Sequence, residues 1–140
     1  MRILFDTNVV LDVLLDREPF ADVATKLFEK VENGALAGYI CATTVTTIHY
    51  LVSKALGGER SQVEIEKLLS LFEIAPVNRA VIEMALKNKI ADFEDAILCE
   101  SARHVEANGI VTRNVRDFRK SDLTVYDPTE LAEILQLQGQ

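Results

Sequence analysis

Arg2-Ile3-Leu4-Phe5-Asp6-Thr7-Asn8 opens the chain with a short apolar run that ends on an acid, followed at once by a hydroxyl and an amide. An apolar run this short, bounded by polar residues, reads as a buried strand, and the valine- and leucine-rich stretch behind it reads as a helix. A carboxylate is thereby planted at the carboxyl end of a first strand. In open α/β sheets the crevice outside those ends is where ligands and chemistry are placed, so Asp6 is a candidate metal ligand. The plainer use of this junction is a helix N-cap, which Thr7 or Asn8 could supply without Asp6.

Two later junctions repeat the pattern. Asp92-Phe93-Glu94-Asp95-Ala96 opens a helical stretch expected to run to about Ala107, in which Asp95 shares a face with Leu98, Cys99 and Ala102. That face packs inward. A carboxylate on it must find a partner or protonate, and a divalent cation is one partner that keeps it ionised. Asp92 reads more simply as an N-cap, and Glu94 gains from the helix dipole with no further role. The third junction, Gly109-Ile110-Val111-Thr112-Arg113-Asn114-Val115-Arg116-Asp117-Phe118, takes a short strand into a hydroxyl, an amide and an acid. That is the chemistry of a hydrogen-bonded loop or of a second metal-facing rim. Asp6, Asp95, Asp117 and Asn114 are all oxygen donors, the kind Mg²⁺ or Mn²⁺ prefers, and no His or Cys cluster competes for the role.

Outward from these junctions the same alternation continues. Strands are expected near 2–5, 37–41, 73–77, 109–112 and 124–126, and helices near 8–15, 20–33, 43–56, 60–72, 79–88, 94–107 and 129–137. The pattern predicts an α/β three-layer sandwich: a central, mostly parallel sheet of about five strands with helices on both faces and right-handed crossovers. Asn33-Gly34 and Asn108-Gly109 are expected helix stops, and Gly57-Gly58 separates two helices. Val63, Ile65, Leu68, Leu69 and Phe72 form an apolar stripe that either covers the sheet or makes a homodimer surface, with core packing the expected use.

A chain of 140 residues with 49% hydrophobic content is expected to form a single domain, 1–140, burying roughly two-thirds of its unfolded surface. The two cysteines, Cys41 and Cys99, lie in apolar surroundings without metal-ligand spacing and read as inert thiols of a reducing compartment. His49 and His104 are isolated and read as surface or packing residues. With no signal-peptide core and no membrane-spanning run, a cytoplasmic protein with no membrane partner is expected.

In the order Phe5-Asp6-Thr7-Asn8, Glu94-Asp95-Ala96, then Val111-Thr112-Arg113-Asn114 with Asp117-Phe118, the chain resembles the PIN-domain family across nearly its whole length. This is the nuclease fold of many toxins of toxin–antitoxin pairs, the VapC-like kind. The resemblance implies a small α/β sandwich whose acidic pocket holds Mg²⁺ or Mn²⁺ for endoribonuclease chemistry, with RNA as substrate and a small antitoxin as partner. Asp6 and Asp95 match the family's first and third acids. Two positions depart from its pattern. Where a Glu is usual for the second acid this chain has Thr47, and the place of the fourth acid carries Asn114, with Asp117 close enough to stand in. An amide or hydroxyl brings an oxygen without a charge.

A net charge of −7 runs against a nucleic-acid partner, but its distribution favours one. Arg113, Arg116, Arg119 and Lys120 cluster beside Thr112 at the proposed rim, and Lys54 shares the helical face of Thr47 two turns on. Thr47, Lys54, Thr112, Arg113 and Arg116 are candidate substrate contacts, a solvated basic loop being the plainer meaning of the cluster. The expected activity is metal-assisted hydrolysis leaving a 5′-phosphate and a 3′-hydroxyl. A PIN-like module that binds RNA or protein without cutting is the alternative favoured by Thr47, and a phosphatase using the same acids is a rival that no residue favours.

Overall fold

The computed structural model describes residues 1–139, in which five strands form one sheet. They are β1 (Arg2–Phe5), β2 (Ala37–Cys41), β3 (Glu73–Ala75), β4 (Gly109–Val111) and β5 (Thr124–Tyr126). Seven helices intervene or follow: α1 (Thr7–Leu14), α2 (Ala21–Glu32), α3 (Ala42–Leu56), α4 (Gly58–Leu71), α5 (Arg79–Lys87), α6 (Phe93–His104) and α7 (Pro128–Gln138), with a 3₁₀ turn at Val115–Phe118. Strand order is β3-β2-β1-β4-β5 and every pairing is parallel. The chain therefore builds outward from β1 through β2 and β3, then returns to its other side with β4 and β5. The β1–β4 border is the place where connections diverge and a crevice opens at the strand ends.

The pleat explains why the short apolar runs suffice. Ile3 and Phe5 enter one core, with Val9, Leu27, Phe28, Ile48, Val52 and Leu131, while Leu4 enters the other, with Val81, Ile97, Leu98, Cys99 and Phe118. Ile40 and Cys41 divide in the same way, as do Val111 and Ile110. Strands covered on both faces have no polar side to show, which is why they read as continuous hydrophobic runs rather than alternating ones. In the first core Phe5, Phe28 and Phe72 meet edge to face with centroids 5.0 to 5.9 Å apart, tying β1 to α2 and to the end of α4. The sandwich is as expected, and its sheet is wholly rather than mostly parallel.

Some local expectations need correction. Helix α1 begins at Thr7, because Asp6 itself is the cap: its backbone is extended and its carboxylate accepts the Thr7 amide at 2.7 Å. Helix α6 ends at His104, short of Ala107, with Glu106 in the left-handed region at φ 56. Asn108-Gly109 is thus not its stop. Asn108 instead fastens β4 to β1, its side chain accepting the Arg2 amide at 2.6 Å while its own N–H donates to the Arg2 carbonyl at 2.7 Å. The α4 stripe divides: Leu68 and Phe72 are buried, whereas Val63 and Leu69 are 45% and 54% exposed. No helix among the described residues is long and apolar enough to cross a membrane.

Gly109 lies where a strand must pass tightly under its neighbour. A Cβ there would sit 2.5 Å from the Thr124 carbonyl oxygen and 2.8 Å from the Tyr126 ring. Gly109→Ala should therefore cost about 2 kcal/mol, read as a lower urea midpoint at unchanged slope. Gly58→Ala, which meets nothing within 4 Å, should leave the midpoint nearly unmoved. Equal midpoints for the two variants would show that the β4–β5 approach is not the reason for glycine.

Candidate active site

Asp6 stands at the carboxyl end of β1 beside the end of β4, and both strands help to fix it. Its N–H donates to the Val111 carbonyl at 2.9 Å, continuing the parallel ladder one residue past the strand. One carboxylate oxygen accepts the Thr7 amide and the other accepts the Thr112 hydroxyl at 2.7 Å. Asn8 adds a longer contact at 3.3 Å from its amide nitrogen. The residue is only 7% exposed. Burial pushes its carboxyl above the usual range, against the lowering effect of the Thr112 and Thr7 hydrogen bonds, and the negative charges of Glu94 and Asp117 push it further.

The first turn of α6 brings the second group. Asp92 is the N-cap, its carboxylate accepting the Asp95 amide at 3.0 Å, as expected. Asp95 is half-buried, on the face that carries the buried Leu98, Cys99 and Ala102. Its carboxyl is pushed up to about 7, first by burial and then by the charges of Asp6, Asp92, Asp117 and Glu94. Asp117, exposed in the 3₁₀ turn after β4, repels both Asp6 and Asp95. Elements far apart in sequence thus converge on one patch of uncompensated negative charge.

Asp95 lies between two adjoining depressions. The first, of about 340 Å³, is lined by Asp6, Asn8, Arg17, Thr47, Glu94, Asp95, Arg113 and Asn114 among others. The second, of about 520 Å³, is lined by Asp92, Asp95, Arg116, Asp117, Arg119 and Lys120 with Ile90 and Ala91. Thr47 reaches the first depression from α3, its hydroxyl donating to the Thr43 carbonyl at 3.3 Å. Asn114 lines the first depression too, while Arg116 and Asp117 line the second.

Three expected contacts are placed differently. Thr112 has no exposed surface, so it positions Asp6 rather than touching anything in the crevice; its hydroxyl also accepts the Asn114 amide at 3.0 Å. Lys54 lines neither depression, because α3 carries it away from the strand ends, and its ammonium lies over the Tyr50 ring at 5.3 Å. Arg113 lines the first depression, but its guanidinium is held by Asp12 at 2.7 and 3.2 Å and lies over the Phe20 ring.

Other residues at the site carry no distinct mark in the sequence. Glu94 lines the depression beside Asp6 and Asp95, a role hidden behind its equally good fit to a helix dipole. Arg17 and Asp12 carry no signal along the chain, since their pairing joins the last turn of α1 to the loop beyond it.

The donors gathered here are oxygen atoms, and their mutual repulsion is what a divalent cation would relieve, so the residues suit Mg²⁺ or Mn²⁺ in kind. The expected convergence of Asp6, Asp95 and Asp117 on one point is not preformed. Among the described residues no three Asp, Glu, His or Cys side chains are grouped tightly enough to hold an ion. The physical reason lies in the anchoring: Asp6 has both oxygens engaged by protein donors, and the other two acids approach it from a helix and a turn.

Comparison with known proteins agrees with this architecture. The sequence profile described as a PIN domain matches residues 2–116. Ribonuclease VapC1 of Aquifex aeolicus is 20% identical over 137 residues, covering 94% of each chain. Ribonuclease VapC2 of Methanocaldococcus jannaschii is 25% identical over 138 residues, covering 86% of this chain and 89% of its own length. Among solved structures, a chain of VapBC2 from Rickettsia felis, bound to a DNA fragment from its promoter, superposes with a TM-score of 0.69. It is 18% identical, with 91% of this chain and 98% of that one covered, so that likeness carries the fold.

The raised Asp95 carboxyl has a measurable consequence. Its charge is disfavoured in the folded state, so the stability it contributes is complete below pH 4 and is lost as pH rises towards the folded value of about 7. Asp95→Asn removes the charge. In EDTA the variant should melt higher than the parent at pH 8, by on the order of 5 °C after allowing for solvent screening of a half-buried group. The advantage should shrink as pH falls towards 4. A constant difference across that range would mean that burial and the neighbouring charges do not hold the Asp95 carboxyl above its usual range.

Proposed function

The chain belongs to the PIN-domain family, and from that premise we propose that it is a metal-dependent endoribonuclease, the toxin of a toxin–antitoxin pair. The observation that carries the reading is the pairing of Asp6 with Asp95 at the sheet's switch point, both with carboxyls raised and both beside further acids. The relatives are named ribonucleases and match along nearly the whole chain, which supports RNA as substrate. The toxin–antitoxin reading rests on the resemblance to VapC-like toxins and is supported by the shared fold of a chain in a toxin–antitoxin complex from Klebsiella pneumoniae, and a small antitoxin protein is its implied partner. On this reading the protein works in the cytoplasm as one domain.

Asp6, Asp95 and Asp117 would hold Mg²⁺ or Mn²⁺, with Asn114 and Glu94 at the edge of the set; the bound ion would supply a water of lowered pKa and neutralise charge on the phosphate. Thr112 and the Thr7 amide fix the Asp6 carboxylate so that it need not reorient during the reaction. Arg116, Arg119 and Lys120 attract the phosphate backbone towards the acids. Water adds to phosphorus and the bond to the 3′-oxygen breaks, leaving a 5′-phosphate on one product and a 3′-hydroxyl on the other. A non-cleaving RNA- or protein-binding module is the second reading. One observation favours it: the position on α3 that faces the acids is Thr47 and supplies no charge.

Purified protein should cut single-stranded RNA with Mg²⁺ or Mn²⁺, and EDTA should stop it. Asp95→Asn should lower the rate by several orders of magnitude; cleavage persisting in that variant would belong to a contaminant, and metal binding without cleavage would select the second reading. Because Thr47 lines the same depression as Asp6, Thr47→Glu would add a charged ligand and should tighten Mn²⁺ binding by roughly tenfold to a hundredfold in calorimetry. Unchanged affinity in a folded variant would remove position 47 from the site.

A further inference from the structure

Asp12 is an unusual residue to find where it lies. It is 1% exposed and sits in the last turn of α1, where the helix dipole disfavours an acid. Two arginines hold it there. Its Oδ1 accepts Arg17 Nε at 2.9 Å and an Arg113 Nη at 3.2 Å, and its Oδ2 accepts Arg113 Nε at 2.7 Å. Arg17 also donates to the Asn8 carbonyl at 3.1 Å, and Arg113 lies 3.9 Å over the Phe20 ring. Two guanidiniums sharing one carboxylate leave the group with one positive charge in excess, and both arginines line the depression that contains Asp6 and Asp95.

We propose that Arg17 contacts a phosphate of the substrate strand, and that Asp12 is the positioning residue that holds Arg17 in readiness for it and keeps Arg113 off the acids. The proposal rests on the ribonuclease reading and extends it to the path of the strand. Free arginines beside Asp6, Glu94 and Asp95 would fold onto them and close the site. Asp12 prevents this by offering a buried acceptor, so the guanidiniums stay beside the acids without neutralising them. Arg17, its side chain 38% exposed, keeps an Nη1 group that makes no hydrogen bond among the described residues, and a planar guanidinium suits a phosphate better than an ammonium does. On the opposite side of Asp95, Arg116, Arg119 and Lys120 line the second depression. Phosphates on either side of the reacting one therefore meet cations on either side of Asp95. The substrate this arrangement suits is a single strand several nucleotides long, lying across both depressions, rather than a mononucleotide.

The test is binding of a fluorescein-labelled single-stranded RNA in EDTA, followed by anisotropy over a series of salt concentrations, with cleavage measured separately in Mn²⁺. Arg17→Gln should weaken binding about tenfold and lower the slope of log affinity against log salt by about 0.7, the amount one phosphate contact contributes on a single strand. In cleavage the loss should fall mainly on KM. Arg17→Lys should restore the slope, which a purely structural role for Arg17 would not predict. Asp12→Asn should lower the slope although both arginines remain; if that variant does not fold, the Arg17 pair decides. An unchanged slope in Arg17→Gln, in a protein whose cleavage still depends on Asp95, overturns the proposal and leaves the nuclease reading intact. A parent protein that neither binds nor cuts the RNA overturns both.

Discussion

The contact on which the site depends is the one that joins the ends of β1 and β4. Asp6 donates its amide to Val111 and accepts the Thr112 hydroxyl, so the carboxylate is fixed by the same parallel pairing that closes the middle of the sheet. Both strands are buried on both faces, and their side chains are shared between two cores. The strand ends therefore cannot drift apart without exposing apolar surface to water, and the position of Asp6 inherits the rigidity of the whole sheet. Everything else in the crevice is brought to this fixed point: Asp95 by the first turn of α6, Asp117 by the 3₁₀ turn, Thr47 by α3.

Electrostatics then works against the fold. Asp6 is buried, Asp95 is half-buried, and Asp92, Glu94 and Asp117 add to the repulsion they feel. A sequence selected only for stability would place cations among them. The two arginines that line the depression with Asp6 are instead tethered, Arg17 and Arg113 to the buried Asp12, so that their positive charge stands next to the acids without cancelling them. An unneutralised acidic patch with two anchored arginines at its side gives up stability at the point of function, a pattern expected of sites that bind ions or act on phosphates.

The residues most legible in the sequence were those whose local context already restricted them. Asp6 follows an apolar run with nowhere to go but the interior, and Asp95 shares its helical face with Leu98, Cys99 and Ala102. Asp92 was readable as a cap because capping is a matter of neighbours three residues apart. Lys54 misled for a related reason. Helical spacing correctly puts it on the face of Thr47, but two turns of helix carry it away from the crevice and onto Tyr50. Thr112 misled because a hydroxyl at a strand end looks available, and only packing shows that it has no surface left.

Hydrophobic period and residue type are local properties of the chain, so the layered α/β architecture, the places where strands end in acids and the oxygen-rich chemistry of those ends are already written along it. Which ends meet is a matter of strand pairing. The order β3-β2-β1-β4-β5 sets Asp6 beside Thr112 across 106 residues, and Asp12 grips Arg113 across 101. No spacing along the chain encodes those distances. They follow from which strand pairs with which, and that choice is made by burying apolar area on both faces of one sheet at once.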